Sequence, residues 1–517
     1  MGNFMDALRA ESARNTLVRT ENGAVAYKTT GKKLLDLNFA TSSFRSRTDQ
    51  QIIDSFMEAF SEDPVYAMVW LFYCRDCRGG MGERRFFRTV MRYLASNRSY
   101  ATIVKAVLPF VAEYGRWDDV IYLLETSCPV AFGEICKLIA EQLERDTKDM
   151  NDQKPVSLLA KWLPSDNTSS KTSRQLALRL AKEMNMDIRV YRKSIVKLRS
   201  YLKIVERYIS RNKWDEVDYG HVPSQANLLY RKAFLKHDHD RRTAYLESVQ
   251  NGEKKINADT LFPHDIVHRY GREHAVWGGS TPSGEDSSLE ALWKALPDFV
   301  NGESGTLVVR DGSGSMSCRV GDGSSVSAMS VSTALAIYFA ERSTGQFKDQ
   351  FITFSSRPKI VNISGLGTLK EKLDRCYRET ECSNTNIEAV FDLILNAAVN
   401  NNCAQSDLPS TVLIVSDMEF DGATTCRKSE MKPLFDRIKK RFEDHGYQMP
   451  KLAFWNVCSR TNGIPLRENE NGVALVSGFA PATIKMVLQE EADPYLAMMN
   501  VLNSDRYTSI LNVLKSL

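Results

Sequence analysis

The sequence predicts a multidomain protein: an N-terminal all-α helical-repeat domain, then a C-terminal α/β domain on a doubly wound sheet. Three observations carry this reading. From Asp49 the apolar residues recur at the helical period, with Ile52, Ile53, Phe56, Met57 and Phe60 on one face. From Thr306 the pattern changes to short apolar runs alternating with amphipathic stretches, the signature of strands joined by crossover helices. The first such run, Leu307-Val308-Val309, opens into Asp311-Gly312-Ser313-Gly314-Ser315. The carboxyl end of a strand is where open α/β sheets place their ligands.

In chain order, residues 1–48 form an approach segment anchored by Leu34, Leu35, Leu37 and Phe39. Residues 49–295 read as stacked helices. Pro64 starts VYAMVWLFYCRD, in keeping with the preference of proline for the first helical turn. Gly79-Gly80-Met81-Gly82 breaks that helix, and ERRFFRTVMRYLA, ATIVKAVLPFVAEY and RWDDVIYLLE follow as further helices. An internal echo, Trp117-Asp118-Asp119-Val120 and Trp214-Asp215-Glu216-Val217, suggests a repeat. In the α/β domain, residues 300–490, strands are expected at 306–310, 349–354, 411–416, 452–457 and 473–477. Helices are expected at 324–343, 384–400 and 429–446. Residues 491–517 return to helices that pack back on the fold.

Composition bounds the function. Hydrophobic residues make up 43% and charged residues 26%, an ordinary globular balance. No apolar run reaches the ~18–20 residues needed to span a bilayer, so no membrane partner is expected. The polar start MGNFMDALRAESARN lacks the apolar core of a secretion signal, and ten scattered cysteines read as reduced thiols. A cytoplasmic location follows. Cys74 and Cys77 form a lone CxxC without a second pair at zinc spacing, which reads as core thiols. The glycine cluster before Glu83-Arg84-Arg85 lacks the Lys-Ser/Thr of a phosphate loop. Its arginines are left to contact phosphate or to pair with Asp76.

Charge is unevenly spread. Between Lys171 and Lys213 there are thirteen Lys and Arg against three Asp and Glu, an excess of ten in a chain whose net charge is +4. Solvated helices mix signs, and this stretch does not. An uncompensated basic surface is the footprint of a phosphate-backbone partner. Lys171, Arg174, Arg189, Arg192, Lys193, Lys197, Arg199 and Lys203 are the candidate RNA-binding cations, with Tyr191 and Tyr201 available for base stacking.

The Asp-x-Ser-x-Ser loop supplies one carboxylate and two hydroxyls, which suit a hard divalent cation. Two later stretches fall where partners are needed. Ser383-Asn384-Thr385-Asn386 offers the Thr385 hydroxyl ahead of a helix, and Ser416-Asp417-Met418-Glu419 offers Asp417 at the end of the apolar strand TVLIV. Asp311, Ser313, Ser315, Thr385 and Asp417, in that order, resemble the metal-ion-dependent adhesion site of a von Willebrand factor A domain, a Rossmann-like fold. The resemblance implies that these residues hold Mg²⁺, or Mn²⁺ or Ca²⁺, directly or through water. It also implies an open coordination position for a carboxylate from a protein partner. Five oxygen donors and no base argue for holding a metal rather than running a reaction, so no enzyme is expected.

The N-terminal stretches LLDLNFATSSFR, CRDCRGGMGERRFF, YGRWDDV, LLAKWLPS, YRKSIVKLRSYLKIVE and LFPHDIVHRY resemble the DUF2828 family. That family joins a helical domain to a von Willebrand A-type domain. The plan is similar to that of the Ro autoantigen, whose HEAT-like TROVE ring of helical repeats binds non-coding and misfolded RNA. The resemblance implies a ribonucleoprotein role.

Two alternatives stay open. One is a metal-dependent protein–protein adaptor without RNA. The other is a zinc-dependent hydrolase using His264, His268 and His274, which stand in an H-D-x-x-H-x-x-G-x-x-H spacing. Against the latter, Asp265 stands where such enzymes use Glu, one methylene longer.

Overall fold

The computed structural model describes residues 17–19, 25–27, 29–270, 284–302, 305–321, 324–379, 385–418, 431–458, 473–489 and 493–517. The chain divides into two compact units. One is helical, made of 49–60, 64–257 and 503–517. The other is α/β, made of 1–48, 61–63 and 258–502. Each unit thus takes in a piece from the far terminus of the chain.

In the helical unit the expected helices appear at Asp49–Glu62, Pro64–Arg75, Arg84–Ser96 and Trp117–Leu123. The stretch expected as one helix at ATIVKAVLPFVAEY is instead three short pieces, Ala101–Val107, Leu108–Phe110 and Val111–Tyr114. Pro109 lacks an amide hydrogen and breaks the continuous ladder. Pro64–Arg75 is buried from Ala67 through Arg75 and so sits at the middle of the unit, as its all-round apolar sequence requires. Past its end, Asp76 is fully buried and accepts hydrogen bonds from Arg506 and from the Tyr507 hydroxyl at 3.0 Å. The Tyr507 ring stacks on Tyr114 at 5.5 Å, so helix Asp505–Lys515 is held into this unit. Asp76 therefore pairs with Arg506, not with Arg84 or Arg85. Arg85 reaches Asp49 at 3.0 Å, and Arg84 approaches Asp118. Gly80 is required where it stands, because a Cβ there would meet the Tyr73 carbonyl at 2.1 Å.

The two Trp-Asp echoes occupy unlike structures. Trp117 starts a helix whose Asp119 is buried between Arg75 and Arg88, whereas Trp214–Glu216 is a single 3-10 turn with Glu216 in solvent. Cys74 is buried, and the Cys77 thiol points at the Gly115 carbonyl at 3.6 Å.

The α/β unit is built on a six-stranded mixed sheet: β1 Thr306–Asp311, β2 Gln350–Phe354, β3 Ile360–Asn362, β4 Thr411–Ser416, β5 Lys451–Asn456 and β6 Val473–Ser477. The order across the sheet is β3-β2-β1-β4-β5-β6. All neighbours are parallel except β2 and β3. Strands alternating with crossover helices imply parallel pairing throughout, and the sheet departs from that at this one edge. The β1 and β4 strands are buried throughout, as strands covered on both faces must be.

Helix Ala328–Arg342, buried from Ala328 to Ala340, packs along β1. Elsewhere Leu307 and Val309 of β1, with Phe354 and Ile414, form a core with Val390, Phe391 and Ile394 of helix Ile387–Asn400. The approach segment is also part of this unit. Helix Lys33–Ala40 lies against β6, with the Ser42 amide donating to Ser477 Oγ at 3.0 Å and Asn456 Nδ2 donating to the Phe39 carbonyl at 3.1 Å. Among the described residues no helix is long and apolar enough to cross a membrane.

Candidate metal centre and basic face

The strand order reverses direction between β1 and β4: the chain leaves β1 towards β2 and leaves β4 towards β5. The crevice beyond their carboxyl ends is the topological switch point where such sheets bind ligands. Asp311 closes β1 and Ser416 closes β4, side by side in the sheet. The Ser416 hydroxyl donates to Asp311 Oδ2 at 2.5 Å, and the Ser313 amide donates to Asp311 Oδ1 at 2.8 Å. The Ser332 hydroxyl holds the Asp311 carbonyl at 3.1 Å. The helix thus holds the Asp311 backbone, and the carboxylate is fixed from β4 and from the loop after β1. It is fully buried, and burial pushes its pKa up while the hydrogen bonds from Ser416 and Ser313 oppose the shift. A buried carboxylate whose charge is opposed by desolvation gains most from a cation beside it.

Beyond Asp311 the chain turns into the short 3-10 helix Gly314–Ser317. This turn brings Ser313 Oγ and Ser315 Oγ to 2.9 Å from each other. Mg²⁺ binds oxygen at ~2.0–2.1 Å in an octahedron, so neighbouring ligand oxygens stand about 2.9 Å apart. For Ca²⁺ at ~2.3–2.6 Å the same edge is about 3.3–3.7 Å. The two hydroxyls are hydrogen-bonded to each other at 2.9 Å, a separation that a magnesium octahedron could take over without moving them.

Asp417 follows Ser416 directly and is buried. The next residue, Met418, takes a left-handed backbone with φ +63, and its amide donates to Ser416 Oγ at 3.2 Å. Such a conformation is uncommon for a side chain of this size, and it redirects the chain immediately after Asp417. Thr385 is buried two residues before helix Ile387–Asn400, whose N-cap Asn386 bonds the Ala389 amide at 3.1 Å. The far end of that helix leads to Gln405–Ser410, which lines a cavity with Gly305 and Pro450 at the amino edge of the sheet. Its first turn, with Thr385, therefore lies towards the carboxyl edge. The neighbouring Ser383, Asn384 and Glu419 lie outside the described residues. Ser416 was not singled out as a site residue in the sequence. Its position as the last residue of an apolar strand, just before Asp417, was the available signal.

Among the described residues no three His, Cys, Asp or Glu side chains converge where a metal could sit. The donors at the switch point are two carboxylates and hydroxyls. His264 is buried between aromatic rings, 5.6 Å from Phe262 and 5.3 Å from Phe479, and burial pushes its pKa down to about 4. His268 Nε2 bonds the Ser325 hydroxyl at 2.9 Å. His274 lies outside the described residues.

The basic stretch of the helical unit forms helices Lys171–Glu183, Ile188–Tyr201 and Val205–Ser210. Lys171, Arg174, Arg189, Lys193, Lys197 and Lys203 are exposed, and among the described residues no carboxylate bridges them. The other four candidates are engaged within the protein. Arg192 pairs with Asp166. Arg199 donates to the carbonyls of Ala160 and Leu163 at 2.7 Å each, and to Ser165 Oγ at 2.8 Å. Tyr201 donates its hydroxyl to the Lys154 carbonyl at 2.9 Å. Tyr191 is fully buried with its hydroxyl on the Pro164 carbonyl, so no base can stack on it, and that expectation is corrected. Its place on the inner face of a helix was legible from the spacing to Ile195 and Leu198.

Comparison with known proteins divides the chain much as the two patterns of periodicity do. Residues 125–307 match the domain of unknown function DUF2828, and residues 305–505 match the domain of unknown function DUF7788. An uncharacterized protein of Acanthamoeba polyphaga mimivirus is 30% identical over 520 residues, spanning 93% of this chain and 86% of that protein.

Proposed function

The chain belongs to one family with that viral protein and carries the DUF2828 segment, and we propose that it is a Ro-like, non-enzymatic binding protein with two working parts. The α/β unit is a von Willebrand factor A-type domain that holds Mg²⁺ through Asp311, Ser313, Ser315, Thr385 and Asp417. The helical unit is a TROVE-like module that binds RNA through its basic face.

The observation that carries the first part is the gathering of the Ser313 and Ser315 hydroxyls, hydrogen-bonded to each other, beside the buried Asp311 carboxylate at the switch point. Strand order and the antiparallel edge strand β3 support the same reading. A bound Mg²⁺ supplies a Lewis-acidic position for a partner's carboxylate. The chain's own contribution is to hold the donors rigid. Ser416 fixes one Asp311 oxygen, the Ser313 amide fixes the other, and the 3-10 turn sets the two serine hydroxyls. Isothermal titration of the metal-free protein with MgCl₂ tests this. Saturable binding that is lost in the Ser313→Ala/Ser315→Ala double variant supports it, and a wild type that retains no Mg²⁺ above the free concentration in equilibrium dialysis refutes it.

For the second part, six exposed cations without a bridging carboxylate among the described residues support a polyanion surface. The ratio of absorbance at 260 and 280 nm before and after nuclease treatment of the purified protein is the direct test. One observation favours the RNA-free adaptor instead: Arg192, Arg199, Tyr191 and Tyr201 already have partners inside the protein. Capture of a carboxylate-bearing partner that is abolished by EDTA, in nuclease-treated protein, would support that reading.

A further inference from the structure

A cavity of about 180 Å³ opens in the helical unit where helix Ile188–Tyr201 ends and helix Val205–Ser210 begins. Arg199, Lys203, Arg207, Arg211 and Lys213 line it, together with Tyr208 and a single carboxylate, Glu216. Glu216 is already paired with Lys213. None of Arg199, Lys203, Arg207 and Arg211 is bridged by a carboxylate in the described residues.

The convergence is built by the backbone. Lys203 has φ +47 and Asn212 has φ +55. These left-handed residues bracket the short helix and fold its two flanks towards each other. The Lys213 amide closes the second flank on the Tyr208 carbonyl at 2.9 Å. The side chains are also held. Arg199 is fixed by three hydrogen bonds, and Arg207 donates to Ser200 Oγ at 2.5 Å. Burial, and then the neighbouring Arg207 guanidinium, hold Arg199 below the usual arginine range, against an opposing pull from Tyr191. Like charges are thus gathered in a concave place and fixed there, and the one carboxylate in the lining, Glu216, is taken up by Lys213.

We propose that this cavity is a binding site for a phosphate monoester. Its size suits a phosphate group more than an enclosed nucleotide, for which ligand pockets run to ~300–1,000 Å³. A phosphodiester inside a strand carries one charge and a sugar on both sides. A terminal monoester carries about −1.5 to −2 and three free oxygens. It enters alone and matches the arginine forks, which recognise such oxygens in pairs. The phosphorylated end of an RNA is the ligand that fits both this cavity and the basic face beside it. The proposal deepens the RNA reading and rests on it only for the source of the phosphate. In this arrangement the outward lysines steer the strand, and the cavity reads its end.

The test uses the full chain and two probes. The first is inorganic phosphate, titrated at constant ionic strength against a chloride control, with thermal stability as the readout. The second is one oligoribonucleotide in 5′-phosphorylated and 5′-hydroxyl forms, followed by fluorescence anisotropy. Wild type is expected to be stabilised saturably by phosphate and to prefer the phosphorylated end at least tenfold. Arg207→Ala/Arg211→Ala should lose both effects while keeping its circular dichroism spectrum. Glu216→Gln removes the competing carboxylate and should tighten binding several-fold, a gain that misfolding cannot mimic. Equal affinity for the two RNA ends with no phosphate effect overturns the cavity proposal and leaves RNA binding standing. Phosphate binding that depends on Arg207 and Arg211, with no RNA bound in either form, upholds the cavity, makes a small phosphomonoester its ligand and refutes the RNA reading.

Discussion

Asp311→Asn is the most informative single change. The substitution keeps the shape. The asparagine oxygen can still accept from the Ser313 amide, and its amide can donate to Ser416 Oγ, replacing the 2.8 and 2.5 Å contacts of the carboxylate. What it removes is the charge. A ligand that binds only the folded state stabilises it by about 2.7 kcal/mol at one hundred times its dissociation constant. For domains of this class, ~1 kcal/mol moves the melting temperature by about 2–4 °C. Saturating Mg²⁺ should therefore raise the wild-type melting temperature by roughly 5–11 °C over EDTA. The variant should show no such rise. Without metal the variant should be at least as stable as wild type, because Asp311 is fully buried and its ionised form is opposed by desolvation. Differential scanning fluorimetry of both proteins, in EDTA and in MgCl₂, reads all four values. An equal Mg²⁺ shift in both would place the metal elsewhere. A variant that melts early in EDTA would show that the carboxylate's charge is structural.

Three further outcomes follow from the geometry. Replacing Arg189, Lys193 and Lys197 by Ala should lower the slope of log K against log salt for single-stranded RNA by about 2, at ~0.7 per phosphate contact, and an unchanged slope would remove these residues from the interface. Asp76→Ala strips the buried acceptor from Arg506 and Tyr507 and should cost roughly 3 kcal/mol in urea unfolding. The low end of the buried-pair range applies because the Arg506 side chain is 37% exposed. His264 has its pKa pushed down to about 4 by burial, so it stays neutral when folded and takes up a proton on unfolding. The stability it contributes is present above pH ~6.5, drains as pH falls from there, and is gone below pH 4, about 3 kcal/mol in all; His264→Leu should flatten that part of the stability–pH curve.

Elements whose cause is local were legible. Apolar runs gave five of the six sheet strands nearly residue for residue, and Pro64 marked the start of the central helix. Edge strand Ile360–Asn362 was not found, because three residues with only Val361 buried leave no period to read. Helix Leu369–Arg378 was missed for lack of a broad apolar face, although the Thr368–Glu371 capping box was a usable signal. Of the candidate site, Asp311, Ser313 and Ser315 are one local motif, and the structure brings them together. Tyr191 and Arg199 look like outward interface residues by type, yet one is interior and the other is tied to the carbonyls of Ala160 and Leu163 at the edge of the cavity.

The sequence by itself determined most of the helices and five of the six sheet strands, where the chain's chemistry changes, and which oxygens gather after β1, because these depend on neighbours a few residues apart. Only the tertiary structure decided the remainder. It set Ser416 on Asp311 across 105 positions, laid Phe39 against Asn456, and buried Asp76 with Arg506. It also folded five cations around one cavity. Such pairings are fixed by how sheets and helices pack once formed, and period and composition carry no record of them.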